Sequence, residues 1–345
     1  MQRKLILLIS TVLLLPILGR GQGLVTDVSK SGTNAASFLE IAIGAPAVGM
    51  GGAFVSIAND ATALYWNVAG TAEFQQNQVV ALHTNWFGGM NVDYLGFVLA
   101  LGNFGNIGAS LTSLTMGDMA VRTVEMPDGT GEFFNANDIA VGISYSKKLT
   151  DRFAIGFTTK YIQQTIWHES ARAFAIDAGT TFRTDLFGGM TIGASISNFG
   201  SKMKLSGRDT RRFGRIDETK LGSNERIPFN VELNSWNLPL LFQFGVSTNL
   251  LQNHRQRWTV AVDALHPSDD FESLNIGTEY AINEVVFLRG GYQSLFLDNV
   301  EGGFSFGVGL NASMLFSDAD IKIDYAFRNM GRLQNIQVFS IGVGF

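Results

Sequence analysis

The sequence predicts an all-β fold: a transmembrane antiparallel β-barrel of about 14 strands, with an N-terminal hatch or plug in its lumen. Three observations predict this fold. Apolar side chains alternate with polar or small ones in about fourteen segments, the links between these segments alternate between short and long, and the last segment ends on Phe345. Because successive side chains of a strand point to opposite faces, each segment has one apolar and one polar face.

The first 21 residues have the pattern of a secretory signal peptide. Arg3 and Lys4 precede an apolar run over residues 5–18, and small residues follow up to Gly21. The apolar run is short for a membrane-spanning helix. We therefore expect 1–21 to be removed from the mature protein.

The composition limits the possible functions. The chain has 345 residues, of which 46% are hydrophobic and 16% charged, and it has no cysteine. Without Arg3, Lys4 and Arg20, the 25 basic residues become 22 against 30 acidic ones, a formal net charge of −8. This balance argues against nucleic-acid binding, which depends on basic surfaces. No run of eighteen apolar residues follows the signal segment, so insertion into a membrane requires a closed barrel.

The segment before the first strand departs from the alternating pattern. Residues 38–73 are rich in glycine and other small residues, which permit close backbone approach in a confined space. Asp60 is placed to cap a short helix that begins at Ala61. We expect residues 22–76 to form an N-terminal extension and hatch, and residues 77–345 to form the barrel.

The strand pattern then continues to the end of the chain. In 320–328 (DIKIDYAFR), for example, four apolar side chains alternate with charged ones. The fourteen predicted strands are 77–85, 91–101, 106–116, 137–149, 152–166, 172–183, 190–198, 240–250, 257–264, 271–280, 285–293, 303–315, 319–329 and 334–345. The charged side chains expected to face the lumen are Asp177, Asp263, Glu279, Arg289, Lys322 and Asp324.

Alternate links are short turns, whereas the intervening ones include two long loops, 117–136 and 199–239. This asymmetry is typical of outer-membrane barrels, which have short periplasmic turns and longer extracellular loops. Aromatic residues are enriched at protein interfaces, so aromatic residues of the long loops are candidate contacts for a partner. They are Phe133, Phe134, Phe213, Phe229 and Trp236.

A motif in the N-terminal segment resembles the signature of the PorV/PorQ family of outer-membrane proteins. The matching stretches are Gly49–Phe54 (GMGGAF), Asn59-Asp60 and Leu64–Gly70 (LYWNVAG), with Val68 where the family usually has Pro. The motif residues are Gly49, Gly51, Gly52, Asn59, Asp60, Tyr65, Trp66, Asn67 and Gly70.

This resemblance implies a location in the bacterial outer membrane and a role in type IX protein secretion. It implies a barrel similar in architecture to the long-chain fatty-acid transporter, with a hatch. PorV-type members bind the C-terminal domains of secreted cargo and pass the cargo from the translocon to a sortase at the cell surface. PorQ-type members attach another surface component to the same machinery. The implied partners are these secretion subunits, the cargo domains and outer-membrane lipid.

The sequence carries no motif that predicts an enzyme, a cofactor or a metal site. The GMGGAF run lacks the G-x-G-x-x-G spacing of a dinucleotide loop. His83, His168, His254 and His266 lie on separate segments without metal-ligand spacing. Gly303–Gly307 spells G-x-S-x-G, but it opens a strand that no helix follows.

Two other functions remain open at this stage. A transporter of hydrophobic small molecules predicts an apolar pocket near Tyr65 and Trp66, whereas packing of these aromatic residues against the wall predicts none. A porin-like protein predicts an open pore.

Overall fold

The computed structural model describes residues 32–215, 219, 226–297, 302–313 and 319–345; the predicted signal peptide over 1–21 lies outside them. Fourteen long strands form the wall. They are β1 Gln78–Asn85, β2 Met90–Ala100, β3 Asn106–Met116, β4 Ala136–Thr150, β5 Phe153–Ile166, β6 Glu169–Thr184, β7 Met190–Gly200, β8 Leu241–Gln252, β9 Gln256–Pro267, β10 Ser273–Ile282, β11 Val286–Leu295, β12 Phe304–Asn311, β13 Asp320–Arg328 and β14 Ile336–Gly344.

The wall closes on itself. Each strand pairs antiparallel with its neighbours in the chain, and β1 pairs with β14 from Gln78↔Gly344 to Asn85↔Gln337. A closed cylinder satisfies the backbone hydrogen bonds of every strand without a free edge, which is what a β-structure requires in lipid. The predicted fold class, a 14-strand antiparallel barrel, is confirmed.

The two faces of the wall differ as the alternation predicts. On β12, the large apolar side chains of Phe304, Phe306 and Val308 point outward and are exposed, whereas Ser305 between them is buried on the inner side. The same alternation recurs around the barrel. The outer wall is therefore an apolar band suited to lipid, and the inner wall carries small and polar side chains.

The links at the two ends of the cylinder differ in length. At the short-link end, β4 and β5 are joined by residues 151–152 and β8 and β9 by residues 253–255. At the long-link end, residues 117–135 and 201–240 connect the strands. Each long link contains a small hairpin: Met119–Ala120 pairs with Phe133–Phe134, and Arg211–Gly214 pairs with Ile227–Asn230.

Three predicted strand limits differ from the structure by more than two residues. β9 ends at Pro267 rather than at residue 264. β6 begins at Glu169 rather than at residue 172, because only Trp167 and His168 separate it from β5. β12 ends at Asn311 rather than at residue 315, and Asn311 Oδ1 accepts a hydrogen bond from the backbone N–H of Ser313 where the chain turns.

Residues 32–77, which we call the enclosed segment, lie inside the cylinder. They form two short helices, α1 Ala45–Gly49 and α2 Ala63–Trp66, and 3₁₀ turns at Ser37–Glu40 and Val68–Glu73. The helix predicted to begin at Ala61 begins at Ala63, because Asp60 instead accepts hydrogen bonds from Thr62 and forms a turn ahead of it. In the part of the chain that the structure describes, no helix has the length and apolar character of a membrane span.

Candidate functional site

The enclosed segment contacts the inner wall through glycines on six different strands. At these positions an added Cβ would lie 2.4 Å or less from an atom of the segment, so a side chain has no room. The glycines are Gly108 on β3, Gly179 on β6, Gly193 on β7, Gly245 on β8, Gly277 on β10 and Gly291 on β11. Because these contacts surround the segment, it fills the lumen rather than lining one side of it.

Asp263 on β9 anchors the segment by its backbone. Its Oδ2 atom accepts hydrogen bonds from the N–H groups of Phe54 (2.8 Å) and Val55 (2.9 Å), and the side chain is fully buried. A carboxylate that accepts two backbone N–H groups stabilises a chain turn that lacks partners of its own. The sequence predicts that Asp263 faces the lumen, and in the structure it faces the lumen and binds backbone amides there.

The aromatic pair of the motif serves packing in this structure. The indole N–H of Trp66 donates to the Ile43 carbonyl (2.8 Å), and the Tyr65 hydroxyl donates to the Leu39 carbonyl (3.1 Å). Trp66 also meets Phe54 edge-to-face. The cavity beside Tyr65 has a volume of only about 10 Å³, which is the space of one water molecule.

Asn67 links two parts of the enclosed segment and also binds the barrel wall. Its Nδ2 donates to the carbonyls of Val55 (2.8 Å) and Thr180 (3.0 Å), and its Oδ1 accepts from the Ala69 N–H (3.2 Å). This last bond closes a tight turn after Asn67.

The motif glycines allow backbone conformations and contacts that other residues resist. Gly51 (φ +65°) and Gly52 (φ +74°) are left-handed, and a Cβ on Gly70 would meet the Ala58 carbonyl. Gly49 packs its backbone against Gly307 of β12. Of the motif residues, Asn59 is exposed.

An ion-pair cluster attaches the segment to the short-link end. Glu73 Oε2 lies 2.7 Å from Lys148 Nζ of β4 and 2.9 Å from the Arg183 guanidinium of β6. Since these residues come from three elements, they fix where the segment leaves the lumen.

The other predicted lumen charges do face inward, and they pair. Arg289 of β11 contacts Glu279 (2.7 Å) and Asp324 (2.6 Å), and Lys160 contacts Asp177 (2.6 Å). Pairing offsets part of the desolvation cost of burying each charge. No set of three or more His, Asp or Glu side chains in the described ranges is arranged to hold a metal ion.

Four of the five predicted contact aromatics are strongly exposed at the long-link end. The exposed fractions are 63% for Phe133, 61% for Phe213, 51% for Phe229 and 46% for Trp236. Phe213 and Phe229 lie on the paired strands of one hairpin, and the Arg211 guanidinium lies 5.5 Å from the Phe213 ring. Trp236 is held by mutual backbone hydrogen bonds of 2.8 Å with Met203.

Phe134 lies next to Trp167, which the sequence pattern did not identify as a candidate contact. Its ring lies 6.2 Å from Trp167, which in turn lies 4.3 Å from the His168 ring. His168 Nδ1 lies 2.9 Å from Asp209 Oδ2 in the second long link. The two long links therefore meet in one continuous surface, which is formed around Phe134, Trp167 and His168. The only sequence signal for this surface was an aromatic residue in a two-residue turn.

The closed wall, apolar band and occupied lumen together define the class: an outer-membrane β-barrel of the kind found in hydrocarbon channels. Solved structures with this fold include the Ralstonia pickettii toluene transporter TbuX (12% identity, TM-score 0.53) and the Pseudomonas putida toluene transporter TodX (15%, TM-score 0.52), each match covering 88% of this chain and 97% of the other. At such identities the likeness establishes the fold alone.

The family follows from a second comparison. A family model described as "Type IX secretion system protein PorV" matches residues 25–235, more than half of the chain. The protein therefore belongs to the PorV family of type IX secretion proteins and is located in the bacterial outer membrane. No curated protein matches the chain by sequence.

Proposed function

We propose that this barrel binds the C-terminal domains of secreted cargo, or a partner subunit, through its extracellular hairpins. These hairpins are residues 119–134 and 211–230, at the long-link end. The barrel would hold its ligand at the cell surface for transfer between the translocon and the sortase. The observation that carries this proposal is the set of exposed aromatic side chains, Phe133, Phe213, Phe229 and Trp236, presented at this end.

Exposed aromatic residues on an ordered scaffold suit protein recognition. Aromatic anchors contribute much of the binding energy of interfaces when a partner buries them. Hairpin pairing, the contact between Arg211 and Phe213, and the backbone bonds of Trp236 reduce the freedom that these side chains lose on binding.

We further propose that the enclosed segment acts as a hatch that seals the lumen. Contacts with six glycine-bearing strands and two hydrogen bonds to Asp263 support a permanent closure. In this proposal residues 22–76 are the hatch domain, residues 77–345 the barrel, and residues 1–21 a removed signal peptide. In this proposal the motif residues from Gly49 to Gly70 help to close the lumen rather than to bind a partner.

A capture experiment with matched variants tests the recognition proposal. Phe133, Phe213, Phe229 and Trp236 are changed to Ala together, and purified barrel is titrated with a cargo C-terminal domain. We expect at least a tenfold loss of affinity, about 1.4 kcal/mol. The control is Phe104→Ala, because Phe104 is 80% exposed at the opposite end of the barrel. Equal affinity of both variants would reject the proposed surface.

Transport of hydrophobic small molecules is the second candidate, because the fold is that of toluene transporters. It requires the enclosed segment to move, since the cavity beside Tyr65 is far too small for a hydrocarbon. Uptake of toluene into proteoliposomes separates the two candidates: hatch closure predicts no uptake above that of empty liposomes.

A further inference from the structure

The outer wall has an open groove across β8 to β11, close to the long-link end. Its volume is about 250 Å³, far larger than the 10 Å³ cavity beside Tyr65. The floor of the groove is Ala264 of β9, which lies in register between the larger Phe244 of β8 and Leu274 of β10. Most of the lining is apolar: Phe242, Phe244, Ala264, Leu274, Leu295 and Phe296.

A β-bulge shapes the far side of the groove. The register between β10 and β11 shifts by one residue, so that Gln293 and Ser294 of β11 both oppose Asn275 of β10. Asn275 Oδ1 accepts a hydrogen bond from the Ser294 N–H (2.9 Å), and the Ser294 backbone is left-handed (φ +57°). A bulge of this kind bends its strand. Leu295 and Phe296 follow it directly, so the backbone sets the position of this side of the groove.

The groove is continuous with the apolar band that faces lipid. Phe242 and Phe244 are exposed, whereas Gln243 between them is buried on the inner side of the wall. The groove therefore opens toward hydrocarbon, and a lipid acyl chain is the occupant that its surroundings supply. Lipid tails are as apolar as this lining, so packing of a chain alone gives little selectivity. Selectivity for one lipid must come from polar groups at the rim.

The rim of the groove at the long-link end is polar and acidic. Glu272 and His266 line this rim, and both side chains are exposed. His266 Nδ1 lies 3.0 Å from Glu272 Oε1. The link over residues 268–272 (SDDFE) carries three acidic residues and no basic one. This charge balance attracts a cationic group and repels an anionic one.

We propose that the groove holds one acyl chain of a lipid whose headgroup carries an ammonium group, with that ammonium beside Glu272. One oxygen of Glu272 faces His266, but a carboxylate can accept about four hydrogen bonds, so Glu272 can also accept one from the lipid. A headgroup that is only anionic is disfavoured by the same charges. The bound lipid would stabilise the folded barrel, because the unfolded chain has no groove to hold it.

Native mass spectrometry of the purified barrel in detergent tests this site, because it counts the lipids that stay bound. The delipidated barrel is given equal amounts of phosphatidylethanolamine, which carries an ammonium group, and phosphatidylglycerol, which does not. We expect one phosphatidylethanolamine per barrel and about tenfold weaker retention of phosphatidylglycerol. Equal retention of the two lipids, or retention of neither, would overturn the proposal.

Two substitutions separate the groove from its rim. Ala264→Phe fills the floor and should lower phosphatidylethanolamine retention about tenfold, because the ring takes the place of the chain. Glu272→Gln should leave the groove open but make the two lipids bind equally. The control is Ala81→Phe, because Ala81 is also an exposed alanine of the outer wall, on β1. Unchanged retention in Ala264→Phe, or an equal loss in Ala81→Phe, would reject the groove as the site.

The same spectra distinguish a lipid from a protein on this face. A second copy of the chain, or another protein, would add its own mass to the wild-type barrel. If Ala264→Phe released such a protein and left lipid retention unchanged, the groove would be a protein docking site and the lipid assignment would be wrong. Heat-dependent electrophoretic mobility confirms that each variant is folded before the comparison.

Discussion

The enclosed segment and the two hairpins at the long-link end lie outside the wall strands, and they are built in opposite ways. Most residues of the segment are small or apolar and buried, and backbone hydrogen bonds hold it. The hairpins carry charged and aromatic side chains, most of them exposed. The difference indicates that contacts within the chain specify the first region, whereas the second presents its side chains to solvent, as the proposed recognition surface requires.

The largest effect is expected where a wall glycine touches the enclosed segment. In Gly291→Val, the new Cβ would lie 2.2 Å from the backbone of Met50 and Gly51, so backbone must move. We expect a loss of more than about 3 kcal/mol in the free energy of unfolding, or failure to fold. Heat-dependent electrophoretic mobility reports the folded barrel.

The control for this prediction is the neighbouring residue. A Cβ on Gly290 would meet only Thr278, at 3.9 Å. Gly290→Val should therefore leave the barrel folded. If both variants fold equally well, the segment does not occupy the lumen as described.

A smaller loss is expected from Asp263→Ala. This change leaves the buried N–H groups of Phe54 and Val55 without an acceptor, at about 1–3 kcal/mol each. Asp263→Asn keeps one oxygen acceptor and should lose less than half as much. Denaturant unfolding in detergent measures both variants, and an Asn variant as unstable as the Ala variant would contradict the anchoring role.

The ion pairs of Glu73 should contribute less. Glu73→Gln removes both pairs, but the Lys148 and Arg183 side chains are about half exposed, so we expect a loss below about 1 kcal/mol. Added salt should reduce the difference further, because it screens the pairs in the wild type. Unfolding at low and high ionic strength measures this difference, and a loss of several kcal/mol would mean that the attachment depends on these pairs.

The hairpins should give the smallest effect on stability. Phe213→Ala and Phe229→Ala remove exposed rings, so we expect unfolding free energies within about 0.5 kcal/mol of the wild type. The same variants should weaken cargo capture. A destabilisation comparable to that of Asp263→Ala would mean that the hairpins belong to the folded core rather than to a binding surface.

The sequence predicts the wall well because one rule governs it. Over residues 320–328 or 334–345, alternate side chains face the lipid and the lumen. Each residue contributes to this pattern independently. Two of the limits that differed most, at Glu169 and Asn311, lie where a short turn or a turn-forming asparagine interrupts the rule.

The contacts of the enclosed segment were not predictable in the same way. Asp263 was expected to face the lumen, but its donors there are backbone N–H groups that no sequence pattern identifies. Trp167 was missed because its contact with Phe134, which lies in a different link, leaves no signal in the local sequence pattern.

The placement of the enclosed segment constrains the order of assembly. A peptide in contact with strands on all sides cannot be threaded through a finished cylinder whose wall glycines leave it no clearance. The hydrogen-bonded seam between β1 and β14 should therefore form last, around a core that is already in place. In this molecule the enclosed segment would act as the template around which the barrel closes.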